Sequence, residues 1–178
     1  AAVTACDGTF SGNGGTVALG VLSISTVTSS DASSVPHVCS RVTTNASSGA
    51  IMSVKSAFGA LQSSSTPADQ ILSATASPLG TNTAGYGMCV GSAGGDTGRD
   101  ATTPPGALPA RSAPFNGTCD SSTHNIGALT TGAQSLWTIS GPSQNAFARI
   151  YLKAGISPVT PAHSDYSDTL TFVVTGTY

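Results

Sequence analysis

The chain has 178 residues and a mass of 17.4 kDa, which suits one domain with a sizeable hydrophobic core. Only 8% of the residues are charged: six Lys and Arg stand against eight Asp, and Glu is absent. So few basic residues cannot form the positive surface that displaces counterions from phosphates, which excludes nucleic acid as a partner. We therefore predict a single domain over residues 1–178 with no nucleic-acid function.

The composition favours extended chain over helix. Hydrophobic residues make up 39% of the chain, and the polar remainder includes 27 Ser and 24 Thr. Thr, Val and Ile favour strands, whereas the 21 Gly and 10 Pro interrupt each stretch that is long enough for a helix. The sequence therefore predicts an all-β protein.

The N-terminal segment 1–10 is predicted to be a strand that is donated to a neighbouring copy. Ala1, Val3 and Ala5 alternate along it, and Phe10 follows as a larger anchor. The segment is too short to form a stable hairpin alone. The alternative is an edge strand of its own domain. The Ala-Ala start also fits cleavage after a small-residue signal, so we expect a mature exported chain without a membrane span.

Further along the chain, alternating apolar residues predict about eight strands. The clearest is the last, in which Leu170, Phe172 and Val174 share one face that is expected to be buried. In the preceding strand, one face carries Arg149 and Lys153, so we expect that face to be partly exposed. The predicted strands cover 17–24, 38–44, 51–57, 71–75, 86–90, 136–140, 146–154 and 169–175.

Strands at this spacing, joined by Gly, Ser and Pro segments, predict a two-sheet antiparallel Ig-like sandwich. Segment 91–135 is rich in Gly, Pro, Ser and Thr and is interpreted as a long surface excursion that a disulfide pins to the domain. Trp137 is the only tryptophan, and its apolar neighbours favour a core position over an exposed binding platform.

Four cysteines, Cys6, Cys39, Cys89 and Cys119, lie too far apart for the close pairs of a zinc site. Their even number predicts disulfides and an oxidising compartment. Three pairings are open, of which we favour Cys6 with Cys39 and Cys89 with Cys119. The alternative is four buried free thiols.

Several short segments resemble secreted bacterial surface proteins. The ending 164–172, SDYSDTLTF, is similar to their final strand, in which a turn leads into an alternating segment. Pilins of the spore-coat-protein-U type end comparably, and many β-rich exported proteins share segments like 42–46, VTTNA, 85–89, GYGMC, and 114–119, PFNGTC. The resemblance implies an exported sandwich domain that serves as an assembly subunit, and it carries no catalytic residues.

The chemistry-bearing residues do not form an enzyme motif. The histidines His37, His124 and His163 lack metal-ligand spacing, and the Gly-x-Ser-x-Gly elbow of serine hydrolases is absent. Asp165 and Asp168 are expected to shape a turn by accepting hydrogen bonds from nearby backbone amides, rather than to act as a catalytic pair. We predict no enzymatic activity, no cofactor and no metal.

Loop 94–100, GGDTGRD, is a weak candidate for a calcium site, because its carboxylates and backbone carbonyls suit a hard cation. It has too few carboxylates, so we favour a solvated loop in which Asp96 or Asp100 contacts Arg99 or Arg111.

Asn45 and Asn116 begin Asn-x-Ser/Thr triplets beside predicted turns, which makes them candidate N-glycosylation sites. Such triplets also arise by chance in a chain rich in Ser and Thr, so two unmodified turns remain the alternative.

These features together predict a structural subunit of an extracellular filament, pilus or surface coat. Its partners would be copies of itself, because an open sheet edge accepts a strand from a neighbour. The alternative is a monomeric surface adhesin or ligand-binding module, in which segment 91–135 contacts host cells or glycans.

Overall fold

The computed structural model describes residues 15–30, 38–73, 77–91, 99–100, 109–120 and 122–178. Within these ranges the chain forms strands and no helix, and all strand pairs are antiparallel, which confirms the predicted all-β class. The strands are β1 (Thr28–Ser29), β2 (Val38–Thr44), β3 (Ala50–Ser56), β4 (Ala60–Ser63), β5 (Gln70–Leu72), β6 (Gly85–Val90), β7 (Arg99–Asp100), β8 (Ala110–Arg111), β9 (Gln134–Ile139), β10 (Ser143–Gly155), β11 (Tyr166–Ser167) and β12 (Leu170–Gly176).

The first sheet is organised around β10, its longest and central strand. Strands β2 and β1 pair with one edge of β10, and β6 and β7 pair with the other. For example, Ile150 of β10 lies opposite Val38 of β2 on one side and opposite Val90 of β6 on the other. Neighbours on both edges place β10 in the middle of the sheet.

The second sheet has the order β12-β3-β9-β8, and a third, smaller sheet has the order β11-β4-β5. An isolated bridge between Ser73 and Tyr86 connects the small sheet to β6 of the first sheet. The architecture is sandwich-like as predicted, with a small third sheet in addition to the two expected.

Trp137 lies in the core, where its side chain is fully buried, and this confirms the predicted position. Its indole Nε1 donates to Ser40 Oγ at 3.2 Å, and Ser40 Oγ in turn donates to the carbonyl of Ala148 at 3.1 Å. Because Trp137 belongs to β9 while Ser40 and Ala148 belong to β2 and β10, this buried chain of hydrogen bonds links the two large sheets.

Most predicted strands are present, but the one over 17–24 is wrong. That part of the chain is irregular, with one isolated bridge between Ser23 and Thr26. The physical reason lies at Gly20, whose φ of +73° falls in the left-handed region and breaks the extended run of apolar residues. The opposite error occurs at β4, which is a strand in the structure but is not predicted by the alternation of apolar residues.

The second face of β10 is buried, which corrects the expectation that it is partly exposed. Arg149, Tyr151 and Lys153 are all buried there. The cover comes from the chain after β8. Gly87 allows its close approach, because a Cβ atom at this position would lie 2.7 Å from the carbonyl oxygen of Gly127.

The described part of segment 91–135 contributes to the interior. Phe115 and Leu129 belong to the main hydrophobic cluster, and Cys119 packs with Cys89 and Tyr151 in a second cluster. Lys153 Nζ donates to the carbonyl of Asp120, next to the disulfide. The excursion therefore returns across the first sheet and covers one face of it.

Candidate functional site

Strand β12 forms an edge of the second sheet. It pairs with β3 without interruption from Leu170 opposite Ser56 to Gly176 opposite Ala50, and within the described ranges it pairs with no other strand. It contains no charged residue, no proline and no register shift. Natural edge strands use charged residues, prolines and bulges to avoid pairing with other chains, and β12 has none of these three.

The backbone of β12 alternates between bonding to β3 and facing outward. The amide of Ala57 donates to the carbonyl of Thr169 at 2.9 Å, and the amide of Thr177 donates to the carbonyl of Gly49 at 2.9 Å. Because bonding alternates along an antiparallel pair, the odd-numbered residues bond inward. The outward-facing amides and carbonyls therefore belong to Leu170, Phe172, Val174 and Gly176.

The side chains of β12 are more exposed than the alternation predicted. Leu170 and Phe172 are only half-buried, and Val174 on the same face is 44% exposed. On the opposite face, Val173 is 51% exposed. The edge therefore presents apolar surface on both faces, beside its unpaired row of peptide groups.

Asp168 fixes the start of β12 against the end of β3. Its carboxylate accepts hydrogen bonds from Ser56 Oγ at 2.7 Å and from the amides of Ala57, Phe58 and Thr169 at 3.2, 3.4 and 2.8 Å. Burial raises the pKa of the Tyr86 hydroxyl, and the nearby negative charge of Asp168 raises it further. Asp168 thus acts as a structural anchor of the edge strand.

Asp165 makes a similar connection to the turn between β4 and β5. Its carboxylate accepts from Ser63 Oγ at 2.8 Å, from Ser64 Oγ at 2.9 Å and from the amide of Ser65 at 2.7 Å. The backbone donor and then the hydroxyls hold the pKa of Asp165 well below its usual range.

The prediction that Asp165 and Asp168 accept hydrogen bonds from backbone amides is confirmed, but the prediction that these amides are nearby in the chain holds only for Thr169. Most of their donors lie 100 or more positions away in the chain, in the turns beside β4, instead of in their own turn. The run of Ser63, Ser64 and Ser65 is the signal that could have indicated Asp165 as an acceptor, since each Ser hydroxyl can donate a hydrogen bond.

His163 and Asp69 form a partly exposed pair, with 2.6 Å between Nε2 and Oδ2. The ring of Tyr166 meets His163 edge-on, with 5.5 Å between the ring centroids. The described portions of the chain hold no group of three or more His, Cys, Asp or Glu residues that could bind a metal ion. The pair connects the turn before β5 with the chain before β11.

The predicted disulfide between Cys89 and Cys119 is confirmed, with a Cα–Cα distance of 5.7 Å. Cys39 is also disulfide-bonded, and Cys6 lies outside the described residues. Near the bridge, Arg111 donates to the carbonyls of Val90 at 3.2 Å and of Gly117 at 2.8 Å. The disulfide and the guanidinium therefore hold the same part of the chain against the end of β6.

The remaining candidate residues are either exposed or not described. Asn45 and Asn116 are both exposed in non-strand segments, so an N-glycan at either would have access to solvent, and modification stays a prediction. Lying outside the described residues are Ala1, Val3, Ala5, Phe10, His37 and Asp96, together with the rest of loop 94–98.

Fold and site together define the class: a disulfide-linked, sandwich-like β protein whose edge strand β12 has one partner among the described strands. Comparison of the chain with protein-family models, with curated proteins and with solved structures found no match. In the described ranges, no helix is long and apolar enough to cross a membrane.

Proposed function

We propose that the protein is a structural subunit of an extracellular filament, pilus or surface coat, in which copies associate through strand pairing. The observation that carries the proposal is the edge of β12, which offers outward amides and carbonyls from Leu170 to Gly176. An added strand would satisfy these groups, and backbone bonds would supply affinity without a deep binding pocket.

A durable scaffold around this edge supports the proposal. Asp168 anchors the first residues of β12, and the Cys89–Cys119 disulfide holds the cover of the first sheet. An edge that is held in one conformation loses little conformational entropy when a partner binds. The disulfides also fit an oxidising, extracellular setting.

We propose a non-enzymatic role, which is supported by three described carboxylates that serve the fold. Asp165 and Asp168 bind the turns beside β4, and Asp120 accepts from the amides of Ser122 and Thr123 at 2.8 and 2.7 Å. Backbone amides and hydroxyl donors hold the pKa values of Asp120 and Asp165 well below the usual range, so these two carboxylates stay anionic. They are consequently suited to fastening loops rather than to proton transfer.

The test is assembly of the purified, oxidised protein. We expect sedimentation velocity to show concentration-dependent association, and electron microscopy to show regular polymers. Deleting residues 1–5 should stop polymer growth without unfolding the domain if that segment is the donated strand. A protein that stays monomeric at every concentration, and binds cells or glycans in that form, would instead identify the adhesin or binding module.

A further inference from the structure

We infer that β12 of one copy pairs with β12 of a second copy, antiparallel and centred on Val173, so that two four-stranded sheets join into one. This inference rests on the proposed function, because it names the partner that the open edge receives. It follows from three properties of the strand: its outward backbone groups, its cross-strand side-chain pairs and its lack of charge.

The backbone groups select the register. When Val173 lies opposite Val173 of the second copy, Phe172 lies opposite the second Val174, and Leu170 lies opposite the second Gly176. All four outward-facing residues of each strand then sit in hydrogen-bonded pairs, which gives eight bonds between the copies. If one strand slides by two residues along the other in either direction, one outward-facing residue of each strand no longer lies opposite a residue of the other β12.

The side chains fit this register on both faces. On the outer face, Val173 meets its own copy, and Thr171 meets Thr175, so every directly opposite pair is β-branched. On the inner face, Phe172 meets Val174, which covers two side chains that are partly or largely exposed in the single chain. Gly176 has no side chain, which leaves space for Leu170.

No charge opposes the contact. The seven residues of β12 are uncharged, so bringing two copies together creates no like-charge pair along the strands. Lys55 belongs to β3 and lies one strand away from the edge, opposite Thr171. A second copy is therefore a partner that the edge can accept without like-charge repulsion along the strands.

This contact has a consequence for assembly. A two-fold contact uses the same surface on both copies and closes at the dimer. Growth of a polymer then needs a second contact on each subunit, and the segment 1–10 is the candidate for it. Loss of the β12 contact and loss of the N-terminal segment should consequently have different effects.

The experiment compares Val173→Lys with Ile51→Lys by sedimentation equilibrium of the oxidised protein. Ile51 is the matched control because it is exposed on the same face but belongs to β3, one strand in from the edge. In the Val173 variant two ammonium groups would face each other, so we expect dimerisation to weaken by about tenfold or more. The Ile51 variant should dimerise like the parent. Equal dimerisation of all three proteins would overturn the inference.

A second variant reports the register directly. In Val173→Cys the two new thiols would face each other, so mild oxidation should link two copies, whereas Ile51→Cys should give no link. Peptide mapping must show that the native disulfide is intact. If Val173→Lys still polymerises and Val173→Cys forms no link, this inference fails while the proposed function stands. If the parent protein never associates, both fail.

Discussion

Strands β10 and β12 have the same alternating pattern but opposite surroundings. β10 lies in the middle of its sheet with partners along both edges, whereas β12 lies at an edge with one partner among the described strands. Alternation indicates that a segment is extended, because its side chains point to two faces. It does not indicate how many neighbours the strand has, since these come from distant parts of the chain.

The contrast extends to individual side chains, because two charged residues of β10 are buried and two apolar residues of β12 are exposed. The charged residues Arg149 and Lys153 of β10 are buried, whereas the valines Val173 and Val174 of β12 are exposed. Buried cations need hydrogen-bond acceptors, and Arg149 donates to the Tyr151 hydroxyl at 3.0 Å while Lys153 donates to a backbone carbonyl. An exposed apolar edge has no such structural role, which is why it is the candidate site for a partner.

The largest effect on stability that this comparison predicts comes from truncating one aliphatic side chain in each of the two strands. Ile150→Ala removes a fully buried side chain from the centre of β10, so we expect a loss of roughly 2–5 kcal/mol in the free energy of unfolding. Val174→Ala, in the exposed part of β12, should cost less than about 1 kcal/mol. Urea denaturation measures both, and similar losses would mean that β12 is covered in solution.

Removing the disulfide should have the next largest effect. The bridge joins residues 30 positions apart, and replacing Cys89 and Cys119 together by Ala should lower stability by about 3–4 kcal/mol. Amide hydrogen exchange should increase in β6 and β10, which the bridged segment covers, more than in β3 and β12. Uniform acceleration across both sheets would show that the bridge stabilises the whole fold instead of this cover.

The extended segments and two of the central contacts could be predicted from the sequence. The strand Val38–Thr44 has the predicted bounds, Trp137 is in the core and Cys89 pairs with Cys119. The first two depend on local alternation and on residue size. The even number of cysteines predicts disulfides, but the Cys89–Cys119 bridge is a choice among three open pairings.

The rest could not be predicted, because it depends on contacts between distant segments. The burial of Lys153 requires the cover beside Cys119, and the donors to Asp165 come from a turn about a hundred positions away. The edge position of β12 depends on strand order, which no local pattern encodes.

A smaller effect is expected for the ring of Phe172. A fully buried ring would cost 3–5 kcal/mol on truncation, but Phe172 is half-buried, so Phe172→Ala should cost roughly 1–2 kcal/mol. Thr171→Ala, on the exposed face, should be nearly neutral and is the control. If the first variant loses as much as Ile150→Ala in β10, the ring is buried by a partner or by other parts of the chain, and dilution of the protein would tell these apart.

The smallest effect is expected from Asp165, which holds the chain before β12 to the turn after β4. Its folded-state pKa lies below the ordinary value of 3.8, so the folded state releases this proton more readily than the unfolded state does. Its stabilising contribution is therefore complete above that ordinary value and is lost as the pH falls through the lower, folded-state pKa. Asp165→Asn removes the charge, so the variant should be less stable than the parent at pH 7. The difference should shrink as the pH falls below about 4. Urea denaturation of both proteins at a series of pH values measures this convergence, and a difference that stays constant down to the lowest pH would show that the carboxylate is not the acceptor of the three Ser donors.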